Sequence, residues 1–418
     1  MAGRARAALV AATAATALVV ATAVAAFAPA GAAAQSLFST AGLGLPNQPL
    51  DARARLLGGG GVGLFGANAS LVNPAEAAGF TTRGVSATFQ PTSRSLDLEG
   101  GEGELGGTRF PLVSVVYPLT ERVVFQAGAG AFLDQSFGVE VTDSVLLSDG
   151  PVEVTDRLES NGGIAQVRAG VSFTITPALV VGLAGGAYTG SLTRTVQRTF
   201  VDTAGTLRPF REDARWSYGA PLVTAGVRWD PVGRVRLGGA LTLAGELDAE
   251  GEDGTPDRAF DMPIQVDVGA SALLSEDLLL AGSLRYADWS AAGEESEDPT
   301  TAAPAVGDEW QVGGGLEWGG LASGTRSFPL RLGFRVGKLP FRPVVRSEDA
   351  APAEADRPTE WSVGGGLSFR LTGQDAGPGA LVDAGIERGR ISAEGAANLP
   401  DLAESYWRFT LSLGVFAR

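Results

Sequence analysis

The 418-residue chain contains no histidine and no cysteine, and that double absence decides most of what its side chains can do. Without histidine there is no Ser-His-Asp hydrolysis, no imidazole general base and no histidine-ligated zinc. Without cysteine there is no thiolate nucleophile and no disulfide. What remains are arginines and carboxylates. In the last third of the chain they recur with both signs on consecutive segments: Arg331 and Arg335, then Arg370, then Asp383 and Glu387, then Arg408. Across neighbouring strands such groups pair through charge-assisted hydrogen bonds. Two readings stay open: ion pairs that brace an interior, or a polar wall that guides a carboxylate-bearing ligand. Neither requires an enzyme, and no cofactor is expected.

Glycines form the second candidate. A G-x-G-x-x-G runs from Gly61 to Gly66, but a dinucleotide site needs a strand before it and a helix after it within a βαβ unit. That context is missing here, and no Gly-Lys-Ser/Thr follows. Gly58, Gly59, Gly60 and Gly61 stand together inside the glycine-rich stretch Arg53–Phe80. Residues without a Cβ suit a segment whose backbone packs closely within a crowded interior. Asn73-Pro74-Ala75 fixes a turn, because Pro74 pushes Asn73 out of helical conformation. The stretch reads as a plug.

The elements that must hold this plug lie on either side of it. Arg4 and Arg6, the apolar run Ala7–Phe27 and the small residues Ala32-Ala33-Ala34 form a secretory leader over residues 1–34. Removing it takes away two of the 32 basic residues, leaving 30 against 47 acidic ones. That sign disfavours nucleic acid as a partner. Residues 35–83 read as a lead-in and plug, and residues 84–418 as a barrel. No later stretch is apolar over the roughly 20 residues that a membrane-crossing helix needs.

From Gly84 onward, segments with alternating apolar and polar residues follow one another, which is the period of a strand with one apolar face. Fourteen are counted: 84–91, 110–117, 122–133, 162–175, 178–195, 214–229, 234–247, 261–274, 277–290, 308–318, 327–338, 358–371, 379–391 and 403–418. Their connections alternate short and long, the long ones falling around 92–109, 134–161, 196–213, 248–260, 291–307, 339–357 and 392–402. Short turns at one end, long loops at the other and an even strand number describe a transmembrane barrel. The expected fold class is therefore all-β, a transmembrane antiparallel barrel of about 14 strands with an N-terminal plug in its lumen. An arginine facing lipid at the midplane costs about 2–4 kcal/mol, so Arg331, Arg335, Arg370 and Arg408 should face inward. Trp229, Trp289, Trp310, Trp318, Trp361 and Trp407 fall near strand ends, where an interfacial aromatic girdle belongs. Acidic runs such as Glu294–Asp298 and Glu348–Asp356 lack the spacing of a calcium loop and read as solvated surface.

Taken together, the stretch Arg53–Phe80 with its Asn73-Pro74-Ala75 turn, and the pieces PLRLGFRVGKLPF (329–341), EWSVGGGLSFRL (360–371), LVDAGIERGRIS (381–392) and ESYWRFTLSLGVF (404–416), carry a likeness. The chain resembles the FadL-type outer-membrane transporters (the OMPP1/FadL/TodX superfamily) of long-chain fatty acids and other hydrophobic compounds. The C-terminal pieces are similar too to PorV-like barrels, relatives that serve protein secretion. The resemblance implies a hatch formed by Gly58–Gly61 and Asn73, Pro74 and Ala75. It further implies passive uptake of a small hydrophobic ligand such as a fatty acid, release through a wall opening or past the hatch, and a strand kink within Gln126–Ala131. A monomeric barrel in the cell outer membrane, with membrane lipid as its surroundings, is expected. The alternative function is a PorV-like interaction or secretion component.

Overall fold

The computed structural model describes residues 36–98, 101–147, 150–201, 207–293, 306–320, 322–323, 326–342, 357–371, 379–394 and 401–417. The expected leader over residues 1–34 and the acidic runs Glu294–Asp298 and Glu348–Asp356 lie outside these residues. Alternation builds strands wherever it was expected. In chain order they are β1 (Arg83–Leu98), β2 (Gly101–Pro118), β3 (Val123–Asp134), β4 (Gly150–Thr176), β5 (Leu179–Phe200), β6 (Phe210–Val232), β7 (Val235–Ala244), β8 (Ile264–Leu273), β9 (Leu278–Asp288), β10 (Glu309–Trp318), β11 (Leu330–Lys338), β12 (Thr359–Leu371), β13 (Gly379–Ala393) and β14 (Leu402–Ala417). Each pairs antiparallel with the next, and β14 pairs back onto β1 from Ala417–Arg83 to Ala403–Asp97. Among the described residues the sheet is therefore closed into a barrel of fourteen strands.

Inside and outside separate as the period demands. Leu332, Phe334, Trp407 and Phe409 point outward and are exposed, while Arg331, Arg335 and Arg408 are buried within the lumen. Trp229, Trp310, Trp318, Trp361 and Trp407 sit on the outer surface. Trp289 does not: it is only 1% exposed and belongs to an interior cluster, so the girdle expected of it is corrected.

Several expected loops are strands. β4, β5 and β6 run for 27, 22 and 23 residues, against the 9–11 that cross a bilayer. Their outer parts continue as sheet with Phe137–Leu147 paired to β4 and Leu247–Glu252 paired to β6. Most of 92–109 and 134–161, and parts of 196–213 and 248–260, are thus β-structure. The alternation is hard to see there because beyond the apolar band both faces of a strand meet water and carry polar residues.

The N-terminal segment Ser36–Phe80 has little regular structure, a short helix at Ala52–Leu56 and 3-10 turns at Leu37–Thr40 and Pro74–Gly79. It touches the ring of strands from β3 to β14. Gln126 of β3 donates to the Ala69 and Ser70 carbonyls at 3.3 and 3.2 Å, Arg168 of β4 to Leu71 at 3.3 Å, Arg236 of β7 to Leu64 at 3.1 Å and Ser271 of β8 to Gly63 at 2.6 Å. Ser412 of β14 accepts from the Ala52 N–H at 2.7 Å. A segment in contact with opposite walls lies in the lumen, and Ser36–Leu50, read as a lead-in, is buried there as well. Where it approaches the wall most closely, the wall carries glycine. A methyl group on Gly313 would overlap the Gly58 carbonyl, one on Gly269 the Val62 carbonyl, and one on Gly182 the Ala75 N–H.

That contact gives a direct test. Gly313→Val should cost about 1–3 kcal/mol of docking and expose residues 52–66 to limited proteolysis. Gly185→Ala, whose new Cβ meets nothing within 4 Å, should leave the digestion pattern unchanged.

Candidate functional site

Among the described residues the longest interruption of the wall lies between β2 and β3. β2 and β3 pair only from Pro118–Val124 to Val113–Ala129, although both strands continue. Pro111 of β2 has no N–H to offer a ladder, and the Pro111 carbonyl already lies where a Cβ on Gly130 would sit. Past this point the outer edge of β3 is taken by the N-terminal segment, with Leu45 and Pro46 paired to Asp134 and Leu133 and the Asn47 N–H donating to the Phe132 carbonyl at 2.7 Å. Arg109 of β2 reaches across to Asp134 at 2.6 Å. On its other edge β3 shifts register against β4 between Ala131 and Leu133. Such a bulge re-aims a side chain, and the residue it turns inward is Leu133, 2% exposed, beside Phe132, which is already on the inner face and 1% exposed. The kink expected within Gln126–Ala131 thus coincides with the last β2–β3 pair and the residue before the bulge.

Behind the interruption lies an apolar, aromatic cluster. The Phe132 ring stands 4.3 Å from Tyr188 and 6.1 Å from Trp289, and Trp289 stands 5.1 Å from Phe341. Trp216, Tyr218, Leu192 and Met262 extend it towards the long-loop end, and Ala41 and Leu43 of the N-terminal segment fill its centre. Of these residues the sequence pointed individually to Trp289 alone, as a girdle residue.

The charged residues named from the sequence fall on two networks. Arg331 binds Glu317 at 2.6 Å, Asp383 at 2.7 Å and Ser368 at 2.5 Å, while Arg53 of the N-terminal helix takes Glu317 from the other side with two contacts of 2.8 Å. Nearer the long-loop end, Arg335 meets Glu360 at 3.1 Å, Glu387 at 3.4 Å and the Tyr406 hydroxyl at 3.1 Å, with Arg408 at 3.8 Å from Glu360 and 4.0 Å from Glu387. Arg370 is exposed near the end of β12 and stands apart from both. Glu360 and Glu317, which complete the networks, were not among the residues named.

The glycines and the turn also have places. Gly58, Gly59 and Gly61 adopt φ of +98°, +78° and +62°, backbone that disfavours any side chain. Ser283 donates to the Gly58 carbonyl at 3.4 Å and Gln311 to that of Gly59 at 3.5 Å, while Gly60 backs onto Ser283. Asn73 caps the turn Pro74–Gly79 by accepting the Ala75 N–H at 3.0 Å and donates to the Val227 carbonyl at 3.0 Å. Glu76 in that turn is fully buried and accepts the Gly63 N–H at 2.8 Å, which ties the two halves of the plug together. Burial pushes its carboxyl up to about 7, against the opposing pull of the Gly63 N–H and of Arg228 and Arg236.

A family model described as BamG matches residues 12–229, a little over half of the 418. This chain belongs to the BamG family. Among solved structures, the BamG-family chain is similar to a Pseudomonas aeruginosa FadL homologue, at 14% identity and a TM-score of 0.59 over 90% of this chain and 99% of that one. It is similar as well to the Ralstonia pickettii toluene transporter TbuX, at 18% identity and a TM-score of 0.57 over 91% and 100%. The P. putida toluene transporter TodX matches at 14% identity and 0.52, over 90% and 99%. At such identities the likeness speaks for the barrel fold. No curated protein matches the chain.

Because folding raises the Glu76 carboxyl above its ordinary value of 4.5, the folded plug favours the protonated form. Its contribution is fully present below the unfolded carboxyl's range and is lost as pH rises through about 7. Hydrogen exchange of residues 61–66 and 73–79, corrected for intrinsic rates, should lose protection as pH rises from 4.5 to about 7. Glu76→Gln should flatten the profile.

Proposed function

We propose that this chain is an outer-membrane channel for the passive passage of small hydrophobic compounds. The observation that carries the reading is the aromatic cluster of Phe132, Tyr188, Trp289 and Phe341 lying directly behind the β2–β3 interruption. An apolar solute entering from the long-loop end would meet this cluster first, and the interruption would give it a sideways exit towards lipid. The stopper there is slight: two residues of strand pairing at Leu45 and Pro46 and one further hydrogen bond from Asn47. Residues 35–83 act in this reading as a hatch, with Gly58–Gly61 and Asn73-Pro74-Ala75 as its docking elements. Residues 1–34 direct export, and residues 84–418 form the barrel.

Two classes of ligand suit such a path, long-chain fatty acids and monoaromatic hydrocarbons of the toluene kind. Arg331, Arg335, Asp383, Glu387 and Arg408 lie in ion pairs within the wall, and Arg331 is linked through Glu317 to Arg53 of the plug, which favours a bracing role for them on the path. A second reading, a PorV-like barrel that anchors a protein partner, draws support from a lumen filled by the N-terminal segment.

The test is saturable binding of a fluorescent long-chain fatty acid and of radiolabelled toluene to the detergent-solubilised protein. Phe132→Ala and Trp289→Ala should weaken binding by roughly tenfold or more, as loss of a buried aromatic contact does. An equal loss in an Arg331→Ala/Arg335→Ala double variant, seen for the acid alone, would place its carboxylate on that wall. Absence of binding by both ligands would overturn the channel and leave the interaction barrel.

A further inference from the structure

The second charged network encloses something that ion pairing does not account for. Where the N-terminal segment meets the outer parts of β11 to β14, a cavity of about 30 Å³ is lined by Asn47, Arg55, Arg335, Arg408 and Glu360, with Arg109 at its edge. Four buried N–H donors on these residues have no hydrogen-bond acceptor among the described residues: Asn47 Nδ2, Arg55 Nε, Arg335 Nε and Arg408 Nε. Buried donors left in that state cost free energy, more so when charged.

Charge shows the same imbalance. Arg335 and Arg408 share two carboxylates, Glu360 and Glu387. Arg55 brings a third guanidinium whose described contact is the neutral Asn47 Oδ1 at 3.3 Å. The other charges around the cavity have partners of opposite sign. Asp134 holds Arg109 at 2.6 Å, Glu404 holds Arg94, and Glu309 shares Arg285 with Asp267 at 3.3 and 3.5 Å and accepts from Trp289 at 3.1 Å. Arg55 makes no ion pair among the described residues and is 6% exposed. Burial, with the Arg335 guanidinium beside it, pushes Arg55 down to about 9.

We propose that this cavity is an anion site, in which one small monovalent anion is held by Asn47, Arg55, Arg335 and Arg408 and fastens the plug to the wall. The room available, that of one or two water-sized groups, admits a halide or a terminal carboxylate and little more. The halide version stands independently of the channel; the carboxylate version, in which the ligand's own head group fills the site, rests on the channel reading.

Hydrogen exchange over residues 45–58 of the full-length, detergent-solubilised protein distinguishes these sources. It would be followed at constant ionic strength in sodium bromide, in sodium acetate and in the sodium salt of a bulky morpholine sulfonate. Exchange roughly tenfold slower in bromide or acetate than in sulfonate is expected, the scale of one charge-assisted contact. Slowing in both identifies any small anion, in acetate alone a carboxylate, in bromide alone an inorganic ion. Arg55→Gln, which removes the guanidinium that lacks an ion pair, should exchange alike in all three. Asn47→Asp supplies a fixed anion beside Arg55 and should be protected in all three, which guards against a variant that merely fails to seat. Equal exchange of the unaltered protein in the three salts would overturn the site. A halide effect in a protein that binds neither fatty acid nor toluene would sink the channel and leave the site standing.

Discussion

An irregular chain cannot lie at membrane depth unless its peptide groups find partners, because no water competes for them there. Everything else in this molecule follows from meeting that condition for Ser36–Phe80. The wall meets it by two means. Side chains of β3, β4, β7, β8 and β9 donate to plug carbonyls, and glycines at positions such as Gly313 and Gly269 let the two backbones approach without a Cβ between them. The result is a barrel whose inner surface is specific to one segment, in the way an interface is specific to a partner.

The same condition sets the electrostatics. Charges on the inner face are removed from water, and each needs a counter-charge and hydrogen bonds to make burial tolerable. Glu317 serves an arginine of the wall and one of the plug at once, so the Arg53–Glu317–Arg331 bridge crosses from one to the other. Removing either arginine would leave Glu317 with half its compensation. The pairing is weak evidence for stability, but it fixes where the short helix Ala52–Leu56 sits on the ring of strands.

Much of this was legible in the sequence, for a definite reason. Each of the fourteen alternating segments corresponds to a barrel strand, because a strand between lipid and lumen must show its period in every residue pair. Arg331, Arg335 and Arg408 could be placed inside since lipid would not accept them. Phe132 and Trp289 could not be placed, for two different reasons. Phe132 follows a run of alanines and glycines, Ala127–Ala131, in which alternation marks no apolar face. Trp289 lies one residue beyond β9, where the alternation that assigns a face has ended. The interruption between β2 and β3 left Pro111 as a legible trace, a proline inside an otherwise regular strand.

The plug is fastened to the last strand at three heights. Ser36 donates to Glu404 at 2.9 Å, Ala52 to Ser412 at 2.7 Å, and Phe80 stacks on Phe416 with ring centroids 5.6 Å apart. The first two of these contacts join residues 368 and 360 positions apart. Ser36 and Ala52 therefore have no seat on the wall until β14 has arrived, and β14 closes the wall by pairing with β1. Sealing the cylinder and housing its contents become one late event. Contacts of such long range form slowly, and until they do, the plug must wait, unhoused, for β14.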